Sequence, residues 1–208
     1  MTSTSGARAV NHAACAARTV RRTRGARRAG LVVLDGATGL RAAVQEVFGD
    51  VPVQRCQWHK RENVVSYLPK PQQVVWRRKL QAAYAHASYA DAKRALQRLE
   101  RELRLRNDSA AASLAEGLDD TLTLHRLGIF PELGTRFTTT HLIESVMARV
   151  EARTRRVARW RSRDQQRRWG AASLHQLEAP FRCVKGVKPL PLLRRALRSS
   201  IPEVHAAA

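Results

Sequence analysis

The pattern that most constrains this fold is a strand, a helix and a second strand within residues 31–56. Residues 31–34 are an apolar run that Asp35 and Gly36 end, which is typical of a buried strand followed by a turn. Residues 38–48 have the apolar spacing of a helix, and residues 51–56 resemble a second short strand. Strand, helix, strand is the repeating unit of α/β proteins, so we expect that fold class where the ordered chain begins.

The rest of the chain is predicted to be helical. Helices are expected over residues 71–87, 89–106, 110–127, 141–159, 162–178 and 190–198. Ser88 is a suitable N-cap for the second of these, and Gly128 stops the third. A turn is expected around Pro131 and Gly134. The sequence therefore predicts a mostly helical α/β fold with an all-helical insertion at about residues 65–130.

The charge of the chain indicates a polyanionic partner. It has 38 Lys and Arg residues against 17 Asp and Glu, a formal net charge of +21. Such a field attracts polyanions and favours phosphate contacts, so nucleic acid is the expected partner. The alternatives are a solvated basic surface or the base composition of an Arg- and Ala-rich genome. Residues 1–30 hold seven Arg and no acidic residue, and we predict a disordered basic arm there.

No apolar run approaches the roughly 20 residues that a membrane helix needs, so we expect no membrane partner. The three cysteines, Cys15, Cys56 and Cys183, are odd in number and widely spaced, which does not indicate a disulfide framework. This cysteine usage fits a reducing cytoplasm.

Two carboxylates are candidates for chemistry. Asp35 follows the first predicted strand at its carboxyl end, where ligands gather in open α/β sheets. The alternative is a turn residue, because Asp-Gly is a common turn pair. Glu144 falls in the first turn of the predicted helix over 141–159, after a threonine N-cap, where a carboxylate can also simply complement the helix dipole. Carboxylates of this kind can hold Mg²⁺.

Arginines follow Glu144 along the same predicted helix and could hold a DNA backbone beside the carboxylate. The predicted DNA-binding residues are Arg149, Arg153, Arg155, Arg156, Arg159 and Arg163. Trp160 and Trp169 lie in this basic region, where they could stack on bases or pack into a core.

Cys56 and His59 have C-x2-H spacing. A structural zinc site needs four ligands, and no second Cys/His pair stands at a matching distance. A packing or hydrogen-bonding role near the sheet is therefore expected.

Taken together, the chain resembles the Mutator-like transposases, which include many transposases of bacterial insertion sequences. Five segments carry the resemblance in order over about residues 31–198, namely LDGATGLRAAVQEVF, VQRCQWHKRENVVSYLPK, SLAEGLDDTLTLHRLG, TTTHLIESVMARVEARTRRVARW and WGAASLHQLEAPFRCVKG.

The resemblance implies an RNase H-like core interrupted by a helical insertion, and an Asp-Asp-Glu site that uses Mg²⁺ or Mn²⁺ to cut and join the DNA at element ends. Asp35 matches the second aspartate of the family and Glu144 its glutamate, while Cys56 and His59 match a C-x2-H signature. The resemblance also implies a homo-oligomer acting on paired ends and a bacterial, nucleoid-associated location in the cytoplasm.

The chain departs from the family pattern in three places. The first aspartate is expected tens of residues before Asp35, but residues 1–34 contain no Asp or Glu. His141 and Met147 stand where the family usually has asparagine. We therefore expect a catalytic domain over residues 31–198 that is truncated at its amino end, with a tail over 199–208 and impaired or no activity. The alternatives are a non-catalytic basic DNA-binding remnant and a different Mg²⁺-dependent nuclease that uses Asp50 or Glu62.

Overall fold

A computed structural model of the chain describes residues 29–179 and 188–200. The basic arm predicted over residues 1–30 and the tail predicted over 199–208 lie almost entirely outside these residues, as does Cys183. The described residues divide into two compact units, one of residues 29–139 and 188–200, the other of residues 140–179.

The first unit begins with the predicted strand, helix and strand. Strand β1 (Val32–Leu34), helix α1 (Thr38–Phe48) and strand β2 (Val53–Arg55) follow in order. The two strands are parallel and in register, with Val32 opposite Val53. Because the strands run the same way, their carboxyl ends meet at one edge of the sheet. The α/β class predicted for the start of the chain is thus confirmed.

Helices make up most of the other described residues of the first unit, which confirms a mostly helical protein. In chain order they are α2 (Gln57–Ser66), α3 (Lys70–Tyr84), α4 (Tyr89–Arg104), α5 (Asp108–Ala115), α6 (Leu118–Thr121), α7 (Thr123–Arg126), α8 (Phe130–Phe137) and α11 (Leu190–Ser200). The hydroxyl oxygen of Ser88 caps α4 by accepting the backbone N–H of Asp91 at 3.1 Å, as the sequence predicted. Helix α2 was not predicted.

Two apolar clusters hold this unit together. The larger joins α2 to α6 through side chains that include Leu80, Leu96 and Leu103, all fully buried. The smaller joins α7, α8 and α11, where Leu193 and Leu197 pack with Leu124, Ile129 and Leu133. Burying apolar side chains in this way is the main source of stability in a helical unit.

The single helix predicted over 110–127 is wrong. The chain forms three short helices there because Glu116 leaves helical geometry and Gly117 adopts a left-handed φ of 63°. Gly128 does end the last of them, with a φ of 69°.

The turn predicted around Pro131 and Gly134 is also wrong, because both lie in helix α8. Proline is tolerated in the first turn of a helix, where its missing N–H would have no partner. The absence of a side chain on Gly134 leaves room for the ring of Phe130, which would be 2.6 Å from a Cβ atom there. That ring also stacks on His125 at 3.6 Å. The helix therefore accommodates Pro131 in its first turn and Gly134 beneath the ring of Phe130.

The second unit contains helices α9 (His141–Thr154) and α10 (Arg163–Glu178), which contact each other. Helix α9 ends five residues before the predicted end at residue 159, and none of its side chains is buried. Ser162 caps α10 by accepting the backbone N–H of Gln165 at 3.1 Å. Within the ranges described, no helix combines the length and apolar character needed to cross a bilayer.

Candidate functional site

The carboxyl edge of the two parallel strands brings Asp35 and Cys56 to neighbouring positions. Asp35 directly follows β1 and Cys56 directly follows β2, and the Cys56 N–H donates to the Leu34 carbonyl at 2.7 Å. The Asp35 side chain is exposed, and its Oδ1 accepts the N–H of Ala37 at 3.0 Å. This bond fixes the turn that links β1 to α1 and leaves a solvent-accessible carboxylate at the sheet edge.

Cys56 and His59 form a contact of their own beside this edge. Cys56 is completely buried, and its Sγ lies 3.3 Å from Nδ1 of His59. The Trp58 ring meets the His59 ring edge-on at 4.9 Å between ring centroids. In the described parts of the chain, His, Cys, Asp and Glu form no group of three or more that could hold a metal. The pair therefore has the geometry of a packing and hydrogen-bonding contact beside β2.

The guanidinium of Arg55 packs against two glycine turns at the same edge. Gly36, with a φ of 106°, is so close that a Cβ atom there would lie 2.6 Å from Nε of Arg55. Gly117, with a φ of 63°, leaves similar space, since a Cβ atom would lie 2.5 Å from Nη1. Glycine alone combines this backbone conformation with so close an approach. Arg55 therefore links the turn after Asp35 to the turn after Glu116.

The carboxylate of Glu116 forms ion pairs with two cationic side chains. Its Oε2 lies 2.6 Å from Nη1 of Arg55 and 2.9 Å from Nζ of Lys60, and the lysine is 1% exposed. Lys60 also donates to the Glu116 carbonyl. Burial lowers the pKa of Lys60, while its hydrogen bond to Glu116 opposes that change. Burial pushes the pKa of Glu116 upward, but hydrogen bonds from Lys60 and Arg55 bring it below its ordinary value.

Amide side chains attach the same strand to the helices that follow. Gln54 and Gln57 both donate to the carbonyl of Thr121, at 2.8 and 2.9 Å. Gln54 also accepts the N–H of Leu124 at 3.0 Å. Because these contacts join positions about seventy residues apart in sequence, they hold α6 and α7 on the strand that leads to Cys56.

Glu144 lies in the second unit, in the first turn of α9. Its carboxylate accepts the hydroxyl of Thr140, and its backbone N–H donates to the Thr140 carbonyl at 3.1 Å. Thr140 is the N-cap residue of α9, as predicted, but its hydroxyl bonds the Glu144 carboxylate and makes no capping bond to a backbone N–H. His141 and Met147 are both exposed on the same helix.

The predicted arginines divide between helix and loop. Arg149 and Arg153 lie one turn apart on α9, whereas Arg155, Arg156 and Arg159 follow the end of the helix. Arg163 begins α10. The single arginine-bearing helix face expected over 141–159 is therefore wrong for the residues beyond Thr154.

All six predicted arginines are exposed, and none has an acidic partner within residues 29–179 and 188–200. Residues 140–179 hold nine arginines against four Asp or Glu residues. Trp169 is 45% exposed beside Arg168. This stretch is thus a strongly basic, open surface with an accessible aromatic ring.

Asp35 belongs to the first unit, whereas Glu144 belongs to the second. Sequence reasoning did not find Arg55, Lys60 or Glu116. One signal was available, because an arginine inside an apolar strand must find a buried acceptor or anion. The identity of that partner was not visible, since Glu116 is 61 residues away in sequence.

Comparison with known proteins gives consistent matches. Residues 18–175 match the family model "Transposase, Mutator family". The transposase for insertion sequence element IST2 of Acidithiobacillus ferrooxidans is 33% identical over 149 residues, which cover 71% of this chain and 49% of that protein. The transposase for insertion sequence element IS6120 of Mycolicibacterium smegmatis is 32% identical over 126 residues, or 60% of this chain and 38% of that protein. The chain thus spans half or less of the length of these relatives.

Proposed function

Because this chain belongs to the Mutator family of transposases, we propose that it takes part in cutting and joining the DNA ends of an insertion sequence. The observation that carries the proposal is the place of Asp35, an exposed carboxylate at the carboxyl edge of a parallel strand pair. Ligands collect at this edge in α/β sheets. We include in the proposal that β1, α1 and β2 are part of an RNase H-like core.

The proposed metal ligands are Asp35 and Glu144. Both side chains supply carboxylate oxygens, the donor type that Mg²⁺ and Mn²⁺ prefer, so the chemistry of the donor set fits. Bound there, the ion would activate the attacking oxygen and stabilise the leaving oxygen of a phosphodiester. The N–H of Ala37 orients the Asp35 carboxylate and the Thr140 hydroxyl orients that of Glu144.

Arg55 contacts the turn that carries Asp35. Its guanidinium lies against Gly36, the residue that follows Asp35, and is itself held by Glu116 at 2.6 Å. A guanidinium held in this position limits the movement of the turn. Arg55 is therefore proposed as a positioning residue for Asp35.

The proposed DNA surface is the basic region of the second unit. The arginines that carry it are exposed and have no acidic partner in the described residues, so their charge is available to phosphates. Contacts of this kind position DNA without reading its sequence. A homo-oligomer on paired ends belongs to the proposal and can be tested by sedimentation of the chain with and without element-end DNA.

We propose further that this chain by itself does not join DNA ends. It offers two of the three carboxylates of an Asp-Asp-Glu site, since residues 1–34 contain none. Losing one of three anionic ligands weakens the positioning of two metal ions. Robust Mg²⁺-dependent joining of element-end DNA by the purified chain would show this part of the proposal to be wrong.

A DNA-binding remnant without catalysis is the second candidate. It is favoured by the fact that no acidic group of three or more is found in the residues described. The third candidate, a different nuclease, gains no support. Asp50 precedes β2 and so lies toward the amino end of that strand, and Glu62 is already paired with Arg61 and Arg77.

The experiment compares Asp35→Asn and Glu144→Gln with Asp50→Asn, which removes an exposed carboxylate away from the carboxyl edge. Mn²⁺ binding, DNA binding and metal-dependent nicking of element-end DNA are measured for each. We expect the first two variants to lose metal binding while DNA affinity stays the same. Equal metal binding in all three variants would favour the non-catalytic remnant.

A further inference from the structure

An open groove on the helical insertion is the feature from which we draw a further inference. It has a volume of about 530 Å³ and is lined by His86, Asp91, Arg94, Gln97, Arg98 and Arg101. It lies wholly within the first unit and is separate from the basic region after Glu144. Nothing in the proposed catalytic site uses these residues.

The helical spacing of α4 places the cations of the groove on one face. Arg94, Arg98 and Arg101 stand at i, i+4 and i+7, which puts them on the same side of the helix. The opposite side carries Ala92 and Leu96, both fully buried in the core of the insertion. The core therefore fixes which way the arginine face points, and the face does not depend on a flexible loop.

Ion pairing within the helix distinguishes the cations of this face. Arg94 is paired with Asp91, whereas Arg98 and Arg101 have no acidic partner in the described part of the chain. Nearby cations of the same insertion are paired, since Lys79 lies 2.5 Å from Glu102 and Lys93 lies 2.8 Å from Asp119. The chain thus neutralises most of the charge around α4 and leaves two arginines in the groove uncompensated.

The lining of the groove restricts its partner. All six side chains are polar or charged, so the groove offers an amphipathic peptide helix or a lipid chain no apolar side chain to pack against. With His86 neutral, three arginines against one aspartate leave a net charge of +2. Residues 94 to 101 span roughly 10 Å along a helix axis. That length matches about three base-pair steps along the axis of a DNA duplex.

We propose that this groove is a second DNA-binding surface, which holds the phosphate backbone of a duplex through Arg98 and Arg101. It contacts the backbone without reading sequence, because phosphates carry no sequence information. The surface holds DNA at the insertion while the basic region of the second unit holds it near Glu144. The inference rests on the proposed function in one respect, since both require that the chain binds duplex DNA.

The test measures the affinity of the whole chain for a labelled duplex of mixed sequence at salt concentrations from roughly 50 to 200 mM. The groove variant carries Arg98→Gln and Arg101→Gln, which remove two charges and keep good helix formers. The matched control carries Arg78→Gln and Arg106→Gln. Both control residues are exposed arginines of the same insertion that do not line the groove. Circular dichroism verifies that helix content is equal.

We expect the groove variant to reduce the slope of log affinity against log salt by about 2, and to weaken binding roughly 60-fold at about 0.1 M salt. The control should change far less, because a charge outside the contact acts only through the screened field. Equal losses in the two variants would mean that net charge alone matters and would overturn the proposal. Equally good competition by polyglutamate and by unlabelled duplex would indicate an acidic protein partner instead and would also overturn it.

A third variant separates this proposal from the proposed function. Arg149→Gln with Arg153→Gln removes two charges from the second unit. If this variant weakens binding and the groove variant does not, the groove proposal alone fails. If the unaltered chain does not bind duplex DNA, both proposals fail.

Discussion

The two units of this protein use apolar and charged side chains in opposite ways. In the first unit Leu80 and Leu96 are fully buried, and Lys60 is inside an ion-paired cluster. In the second unit Ile143 is 58% and Met147 55% exposed, and the arginines from Arg149 to Arg163 lack acidic partners in the residues described, whereas Arg167 lies 3.8 Å from Asp164. The first unit is therefore stabilised by its own core, whereas the second presents a surface that is suited to binding. Four predictions test this difference, from the largest expected effect to the smallest.

The first prediction compares apolar truncations in the two units. Leu96→Ala should lower the free energy of unfolding by about 3–5 kcal/mol, because it leaves a cavity in a fully packed core. Met147→Ala should lower it by less than about 0.5 kcal/mol, since an exposed side chain leaves no cavity. Urea denaturation followed by circular dichroism measures both. Similar losses would contradict the distinction between a packed and an open unit.

The second prediction concerns the glycine turn beside Arg55. Gly117→Ala should cost about 2–4 kcal/mol, because it combines backbone strain at a φ of 63° with a contact 2.5 Å from Nη1 of Arg55. Gly128→Ala is the matched control, since its φ is 69° and nothing lies within 4 Å of the new Cβ atom. Strain alone should make it cost about 1 kcal/mol.

Thermal unfolding of the two glycine variants gives the comparison directly. If Gly117→Ala and Gly128→Ala destabilise the chain equally, the guanidinium of Arg55 does not hold the turn. In that case, adding Arg55→Ala to the Gly117→Ala variant should restore none of the lost stability. A partial recovery in that double variant supports the packing geometry described here.

The third prediction is a gain of stability, and it concerns the second unit. Gly170 lies inside helix α10, and nothing stands within 4 Å of a Cβ atom placed there. Gly170→Ala should therefore raise helix content and stabilise the second unit by about 0.5–1 kcal/mol. Protection of the α10 amides in hydrogen exchange measures the gain. A loss of protection would mean that this face of α10 is packed against something in solution.

The fourth prediction is a pH dependence in the first unit. The hydrogen bond from Lys93 lowers the pKa of Asp119 below 3.8, burial opposes this, and the hydroxyl of Tyr89 assists it. A lowered folded-state pKa gives stability that is present above the unfolded pKa and is lost as the pH falls through the folded value. The effect should stay below about 0.5 kcal/mol, because the pair is solvent-exposed.

With Asp119→Asn, the free energy of unfolding should decrease less as the pH falls below 4 than it does in the unaltered chain. The control variant, Asp164→Asn in the second unit, should show the same decrease as the unaltered chain. Denaturation midpoints taken from neutral pH down to acid compare the two. Parallel acid profiles for the unaltered chain and Asp119→Asn would show that the Lys93 pair contributes nothing.

Local sequence predicted some of these features well and others poorly. The β1, α1 and β2 elements, the Ser88 cap and the Gly128 stop were predicted because each depends on a few neighbouring residues. Helix α8 was missed because Pro131 and Gly134 usually break helices, whereas here Pro131 falls in the first turn and Gly134 lies against the ring of Phe130. The end of α9 was placed too late, because apolar spacing continued to Val157 after the helix had stopped.

The candidate site shows the same division. The position of Asp35 after a buried strand followed from the sequence, and the resemblance of five ordered segments agrees with the family match. The contacts that hold the turn after Asp35 could not be predicted from the sequence. Arg55 reaches Gly36, Gly117 and Glu116 through contacts that span up to 61 residues, and no local pattern encodes such a distance.

By itself, the sequence determined the strand, helix and strand at the start of the ordered chain, the carboxylate that follows the first strand, the mostly helical character of the rest and the excess of basic charge. These depend on side-chain order within short segments or on composition, and both can be read directly from the chain. The tertiary structure alone decided which of the described charged side chains form ion pairs and which do not. Lys60 and Arg55 find Glu116, whereas Arg98 and Arg101 find no acid in the described residues. The physical reason is that pairing depends on which distant side chains the core brings within a few ångströms.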